Sequence, residues 1–325
     1  MIKINKNFAF QKIKRCLSNF TSSNVAIVEV GPRDGLQNEK QNIPTDKKIE
    51  FINLLSNSGL KRIEVTSFVS PKWVPQLADA KQVMKSIQRN PLVRYSTLTP
   101  NLKGLDDAIE VGSQEIAIFG AASETFTKKN INCTIEQSLK QFDQVVQKAK
   151  LNEIPIRGYV SCVVGCPYEG HIKPKIVCNV VEKMLEMGCY EISLGDTIGV
   201  GNPKTISDLL NELKLVVNNK MDLLAIHCHD TYGMALVNIV ESLEHGIRVI
   251  DSSTSGLGGC PYASKNGAAV SGNVATEDVV YLLNSLGVNT GVDLDKIIQA
   301  GDFITNVLNK KSNSKVALAL SCKKN

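Results

Sequence analysis

The chain has 325 residues, 43% hydrophobic and 21% charged, enough apolar material for a large core and unlike a disordered or fibrous polypeptide. Its formal charge of +5 resides in the first 24 residues, where Lys3, Lys6, Lys12, Lys14 and Arg15 occur without an acidic residue. The remainder is neutral overall, which argues against a nucleic-acid partner, and no apolar run approaches the ~20 residues that span a bilayer, so a soluble protein with no membrane partner is expected.

Residues 1–24, basic, free of acid and carrying Ser18, Thr21, Ser22 and Ser23, read as a mitochondrial presequence, which would place the mature chain in the mitochondrial matrix. A lysine-rich tail with no address is the alternative. The C-terminus Cys322-Lys323-Lys324-Asn325 lacks a Ser-Lys-Leu type ending. Nine cysteines, an odd number scattered along the chain, argue against a disulfide framework and a structural zinc site. Most are expected to be reduced and buried.

From Val25 to Val30 a β-rich run ends in Gly31-Pro32-Arg33-Asp34-Gly35-Leu36-Gln37, a turn that sets a cation beside a carboxylate. Helix is predicted over Thr45–Ser58, strand over Lys61–Val65, helix over Asp79–Gln88, strand over Val93–Leu98 and helix over Leu102–Val111. Strand Glu115–Phe119 follows, then a polar segment, Gly120–Asn132, and the amphipathic helix Thr134–Leu151. The alternation continues through strand Ile156–Val163, helix Lys175–Met187, strand Tyr190–Leu194, helix Pro203–Val217, strand Asp222–Cys228, helix Met234–Glu244 and strand Arg248–Asp251. Eight strands, each followed by a helix or a helix-capable segment, predict a (β/α)8 TIM barrel over residues 25–325. Helices over Val274–Ser285 and Leu294–Leu308 extend it at the C-terminus, and the tail Lys310–Asn325 is polar apart from Val316–Leu320.

The chemistry-bearing residues fall at the ends of these strands. In Ala225-Ile226-His227-Cys228-His229-Asp230 the period-two alternation of a strand puts both imidazoles on one side, within reach of one metal ion; His-x-His alone is equally consistent with strand decoration. Arg33 and Asp34 follow strand one, Glu64 ends strand two, Asp196 follows strand six, His227 and His229 follow strand seven, and Cys260 follows strand eight between glycine clusters. Singly, the Arg-Asp pair reads as a surface salt bridge, and Glu64 and Asp196 as caps or ion pairs. Five strand ends converging on the C-terminal mouth of one barrel, where such folds keep their active sites, favour catalysis.

The motifs Gly-Pro-Arg-Asp-Gly-Leu-Gln at 31–37, Glu-Val-Thr-Ser-Phe-Val-Ser-Pro-Lys-Trp-Val-Pro-Gln at 64–76, Ser-Leu-Gly-Asp-Thr-Ile-Gly-Val-Gly at 193–201, the His227 stretch, and Gly-Leu-Gly-Gly-Cys-Pro-Tyr-Ala at 256–263 resemble the 3-hydroxy-3-methylglutaryl-CoA lyases, from about Val25 to Cys322. The resemblance implies cleavage of that CoA thioester to acetyl-CoA and acetoacetate with a divalent cation, Mg²⁺ or Mn²⁺. It further implies Asp34, His227, His229 and Asn273 as metal ligands, an oxygen and nitrogen set suited to such ions. Arg33 would stabilise the developing oxyanion, Asp196 and His227 would transfer protons, Glu64 would support them, and Cys260 would exchange a proton with the enolate carbon. A homodimer is expected. One departure stands out: four extra residues separate Cys260 from Asn273, where the family reads Cys-Pro-Tyr-Ala-x-Gly-Ala-Ser-Gly-Asn. A Claisen-type acyltransferase of the isopropylmalate or homocitrate synthase kind shares the Arg-Asp turn and the His-x-His strand, and an inactive binding barrel is the second alternative.

Overall fold

The computed structural model describes residues 24–259 and 272–322; residues 1–23, which hold nearly all of the expected presequence, Cys260 and the lengthened loop lie outside them. Eight parallel strands close a barrel in sequential order: β1 (Ala26–Glu29), β2 (Arg62–Ser67), β3 (Arg94–Leu98), β4 (Glu115–Ala121), β5 (Ile156–Ser161), β6 (Glu191–Asp196), β7 (Leu224–Cys228) and β8 (Val249–Ser252). The ring closes where β1 pairs with β8, Ala26 opposite Val249 through Glu29 opposite Ser252. Outside the ring run α1 (Thr45–Ser56), α2 (Ala80–Ser86), α3 (Leu102–Glu110), α4 (Glu124–Ile131), α5 (Ile135–Leu151), α6 (Pro174–Met187), α7 (Pro203–Val216), α8 (Ala235–Glu244), α9 (Thr276–Ser285), α10 (Leu294–Val307) and α11 (Lys315–Ser321). Among the described residues no helix is long and apolar enough to cross a membrane.

The predicted (β/α)8 barrel with C-terminal helices is thus the observed fold, with local differences. The polar segment after strand four contains α4, because Ser123 caps it by accepting from the Phe126 N–H and Phe126 buries its ring. Glu64 does not end strand two: Thr66 and Ser67 go on pairing with Thr97 and Leu98, past a bulge. Strand six runs on to Asp196, and strand seven starts at Leu224, after a 3₁₀ turn over Met221–Leu223. The tail folds as α11 because Ser314 caps it, while Asp278 accepts from the Ser314 hydroxyl and the Val316 N–H at 2.6 and 2.9 Å. A two-stranded hairpin, Gly165–Cys166 with Gly170–His171, was not anticipated. No disulfide forms among the described residues, and of their seven cysteines all but Cys322 are buried.

The large apolar core joins Ile63, Ile116, Ile192, Ile226 and Ile250 of the strands with Leu55, Leu105, Val181, Leu209 and Ile239 of the helices. Inside the ring the contents are charged. Arg62 on β2 reaches Glu191 on β6 at 2.9 Å, and Arg157 on β5 reaches Asp251 on β8 at 2.7 Å; neither pair is on neighbouring strands, so the ion pairs cross the interior.

Two buried glutamates hold the seam. Glu29 accepts from the N–H groups of Gly31 and Thr254 and the hydroxyls of Thr254 and Thr276, all within 2.7 to 2.9 Å. Glu277 accepts the Ser255 N–H at 2.9 Å and so holds that residue at a left-handed φ of 58°. Burial, with Glu29 and Asp278 nearby, pushes the Glu277 carboxyl up to about 8. The folded state therefore keeps a proton that the unfolded chain loses near pH 4.5, and stability falls as pH rises from there to 8. Glu277→Gln keeps the acceptor without the charge; in thermal melts it should gain on the wild type as pH rises from 6 to 9, by on the order of 5 °C at the alkaline end.

Candidate active site

The first site residues sit on a single wide π-type turn, Gly31–Gly35, in which the N–H groups of Arg33, Asp34 and Gly35 all aim at the Val30 carbonyl. Glycine is required at its start, since a Cβ on Gly31 would lie 2.5 Å from the Glu29 carboxylate. The turn points both side chains into the mouth. Arg33 donates from Nε to Glu64 and from Nη1 to Asp34, each at 2.6 Å, and its guanidinium lies 5.5 Å from the Tyr159 ring centre. Burial opposes its charge, but Glu64 and Asp34 overcome this and raise its pKa above the ordinary range. Its Nη2 makes no hydrogen bond among the described residues, which leaves a charged donor for an arriving anion.

Asp34 faces the histidine strand. Burial would raise its carboxyl, yet Arg33, the two imidazoles and the Asn273 amide bring it down to about 2. His229 is neutral, its pKa lowered to about 4 by burial and by His227. One ligand atom from each of Asp34, His227 and His229 lies within 4.8 Å of the others, a spacing one cation can bridge. Two buried acceptors here, His229 Nδ1 and Asn273 Oδ1, have no partner among the described residues. An ionised carboxylate, two imidazoles and an amide oxygen fit a divalent ion of the Mg²⁺ or Mn²⁺ kind.

Asn273 is held by backbone bonds to the ends of two strands. His229 and Asn273 form an isolated bridge, Val274 donates to the Cys228 carbonyl, and Ser253 donates to the Val274 carbonyl. The Gly272–Ala275 segment is thus strapped between the ends of β7 and β8, and the four extra residues fall before the strap begins. Asn273 Nδ2 donates to Asp34 at 2.7 Å and to the Leu257 carbonyl at 3.1 Å.

Six of the residues read from the sequence, Arg33, Asp34, Glu64, His227, His229 and Asn273, therefore meet at one mouth. Asp196 ends β6 fully buried, its carboxylate accepting from the Val200 and Gly201 N–H groups at 3.1 and 2.8 Å, and burial outweighs those bonds to raise it to about 6. It thus shapes its own turn while holding a proton affinity suited to neutral-pH transfer. Residues overlooked in the sequence are Tyr159, Arg157, Ser193 and Asp251. Asp251 accepts from Arg157 at 2.7 and 3.0 Å, from the Ser193 hydroxyl at 2.7 Å, and faces His227 Nδ1 at 3.3 Å. A charged residue within a short strand, at Arg157 and again at Asp251, was the signal available.

A (β/α)8 barrel gathering a clamped arginine, an ionised aspartate and two imidazoles at its C-terminal mouth defines a cation-assisted barrel enzyme. The chain belongs to the HMGL-like family, whose model matches residues 24–304. It is 59% identical over 295 residues to the cytoplasmic 3-hydroxy-3-methylglutaryl-CoA lyase of Rattus norvegicus, covering 91% of this chain and 84% of that one. It is 56% identical over 299 residues to the mitochondrial hydroxymethylglutaryl-CoA lyase of the same species, covering 92% and 90%. The crystal structure of hydroxymethylglutaryl-CoA lyase from Pseudomonas aeruginosa matches with a TM-score of 0.90 at 50% identity, over 94% of this chain and 99% of that one.

Gly258 borders this site at φ +105°, and a Cβ there would lie 2.7 Å from Asn273 Nδ2. Gly258→Ala should displace the amide: turnover is expected to fall at least about tenfold, with a stability loss of about 1–3 kcal/mol, read by steady-state kinetics and thermal melts.

Proposed function

We propose that this protein cleaves (S)-3-hydroxy-3-methylglutaryl-CoA to acetyl-CoA and acetoacetate. The observation that carries the reading is the placement of Asp34, His227 and His229 ligand atoms within 4.8 Å of one another, beside the Arg33 guanidinium, in a chain 59% identical to a lyase of that name. The relatives and the matching crystal structure are named as lyases, which favours cleavage over Claisen-type acyl transfer.

Asp34, His227, His229 and Asn273 are the residues that would hold the cation. When bound, it supplies Lewis acidity that lowers the pKa of the substrate's tertiary hydroxyl and fixes its orientation. Asp196 is assigned the transfer of the hydroxyl proton, a role that its carboxyl at about 6 supports; His227, expected to share that role, has one ring nitrogen assigned to the cation and the other facing Asp251. As that proton leaves, the hydroxyl oxygen forms the acetoacetate ketone and the bond from its carbon to the thioester's α-carbon breaks. The electron pair passes to the acetyl-CoA enolate. Arg33, fixed through Nε by Glu64, presents Nη2 to the enolate oxygen; a permanently charged donor held in place before the charge develops costs no reorganisation. Cys260, outside the described residues, is assigned delivery of a proton from Sγ to the enolate carbon. A homodimer is the proposed assembly.

Incubation of the purified protein with the CoA thioester, with Mg²⁺ or with a strong chelator, tests the reading directly. Acetoacetate should form only with the cation, and turnover in a preparation shown to be metal-free would end the cation assignment. Arg33→Gln should fold normally, with little change in substrate affinity, and lose at least ~10²-fold in kcat.

Relatives of both cytoplasmic and mitochondrial name match this chain. The acid-free basic N-terminus supports the mitochondrial matrix. Protein isolated from mitochondria should lack Lys3 to Arg15, and a chain beginning near Asn24 should be soluble and fully active. An intact N-terminus on the endogenous protein would refute processing.

A further inference from the structure

His227 has two ring nitrogens, and the proposed cation site uses only one. The other, Nδ1, faces Asp251 Oδ2 at 3.3 Å. Asp251 is itself immobilised: Arg157 grips it with both terminal nitrogens at 2.7 and 3.0 Å, and the Ser193 hydroxyl donates to it at 2.7 Å. Arg157, Ser193 and Asp251 are all buried, at 1%, 0% and 1% exposure. Facing a guanidinium, the carboxylate is ionised and can only accept hydrogen bonds. Whatever nitrogen it faces must carry the hydrogen.

The support continues down the barrel. Arg157 Nε donates to Glu191 at 2.5 Å, and Glu191 is held in turn by Arg62 at 2.9 and 3.0 Å. Charges of alternating sign, Arg62, Glu191, Arg157 and Asp251, thus run through the interior up to the histidine.

We propose that Asp251, fixed by Arg157 and Ser193, is a positioning residue that locks His227 in the Nδ1–H tautomer with the Nε2 lone pair aimed at the cation site. The inference rests on His227 being a ligand. A carboxylate behind a metal-bound imidazole sets its tautomer and ring orientation and raises its basicity, and losing it costs 10–100-fold in metal affinity in comparable sites. An ion pair serving stability alone would change the melting temperature and leave both tautomer and affinity untouched.

The test uses the full-length protein in two measurements. Long-range ¹H–¹⁵N spectra of histidine-labelled protein report the tautomer; the chain has four histidines, and His227→Gln assigns the signal. Mn²⁺ titrations followed by electron paramagnetic resonance give the affinity. The wild type should show His227 protonated at Nδ1, Asp251→Asn should bind Mn²⁺ about 10–100-fold more weakly, and Ser193→Ala should weaken it about two- to fivefold with little change in melting temperature. A wild-type His227 protonated at Nε2 overturns the proposal. So does folded Asp251→Asn with unchanged affinity, or, where that variant does not fold, Ser193→Ala with unchanged affinity. A wild type that binds no Mn²⁺ would instead overturn the cation-site reading, and the tautomer would still decide whether Asp251 locks the ring.

Discussion

The pairing of Arg157 with Asp251 inside the barrel is the constraint on which the site depends. Both groups are stripped of water, and removing Arg157 would leave Asp251 as an uncompensated buried charge, at a cost of about 3–5 kcal/mol. The pair is thus weak evidence for stability but strong for geometry. It crosses from β5 to β8, fixes the carboxylate behind His227, and through Glu191 and Arg62 ties four strands of the ring together. A barrel filled with apolar side chains would close as well and orient nothing.

A second clamp of the same kind sits at the mouth. Arg33 is held from two sides by Glu64 and Asp34 at 2.6 Å, so its rotamer is chosen before any substrate arrives. Tyr159 lies between the two systems, 5.5 Å from the Arg33 guanidinium, 4.9 Å from that of Arg157 and 6.1 Å from the His227 ring. The arginine assigned to the oxyanion and the histidine assigned to the cation are therefore braced by one continuous set of buried contacts. Preorganised charge of this sort is where most catalytic power in such sites resides.

The strap over Gly272–Ala275 follows the lengthened loop in the chain and holds Asn273 by itself. Its backbone bonds to the ends of β7 and β8 fix Asn273 locally, and lengthening a loop by four residues changes its closure entropy by only about 0.5 kcal/mol. The anchors, not the loop length, decide where the amide goes.

The alternation of strand and helix patterns determined the barrel, and period two in Ala225–His229 determined that both histidines share a face, because these are local properties of the backbone. The Arg-Asp turn was legible for the same reason: glycine and proline at fixed offsets leave few conformations. What only the tertiary structure decided is which distant groups meet. Asp251 was visible as the end of a strand, but its partner Arg157 lies 94 residues away, and no local pattern says that β5 and β8 face each other across a ring. Glu64 likewise had a place in the order of elements and no stated partner until the pairing of β1 with β2 set it against Arg33. Closure is a global event, so the identity of the residue behind each site group is a property of the closed ring and not of any stretch of the chain.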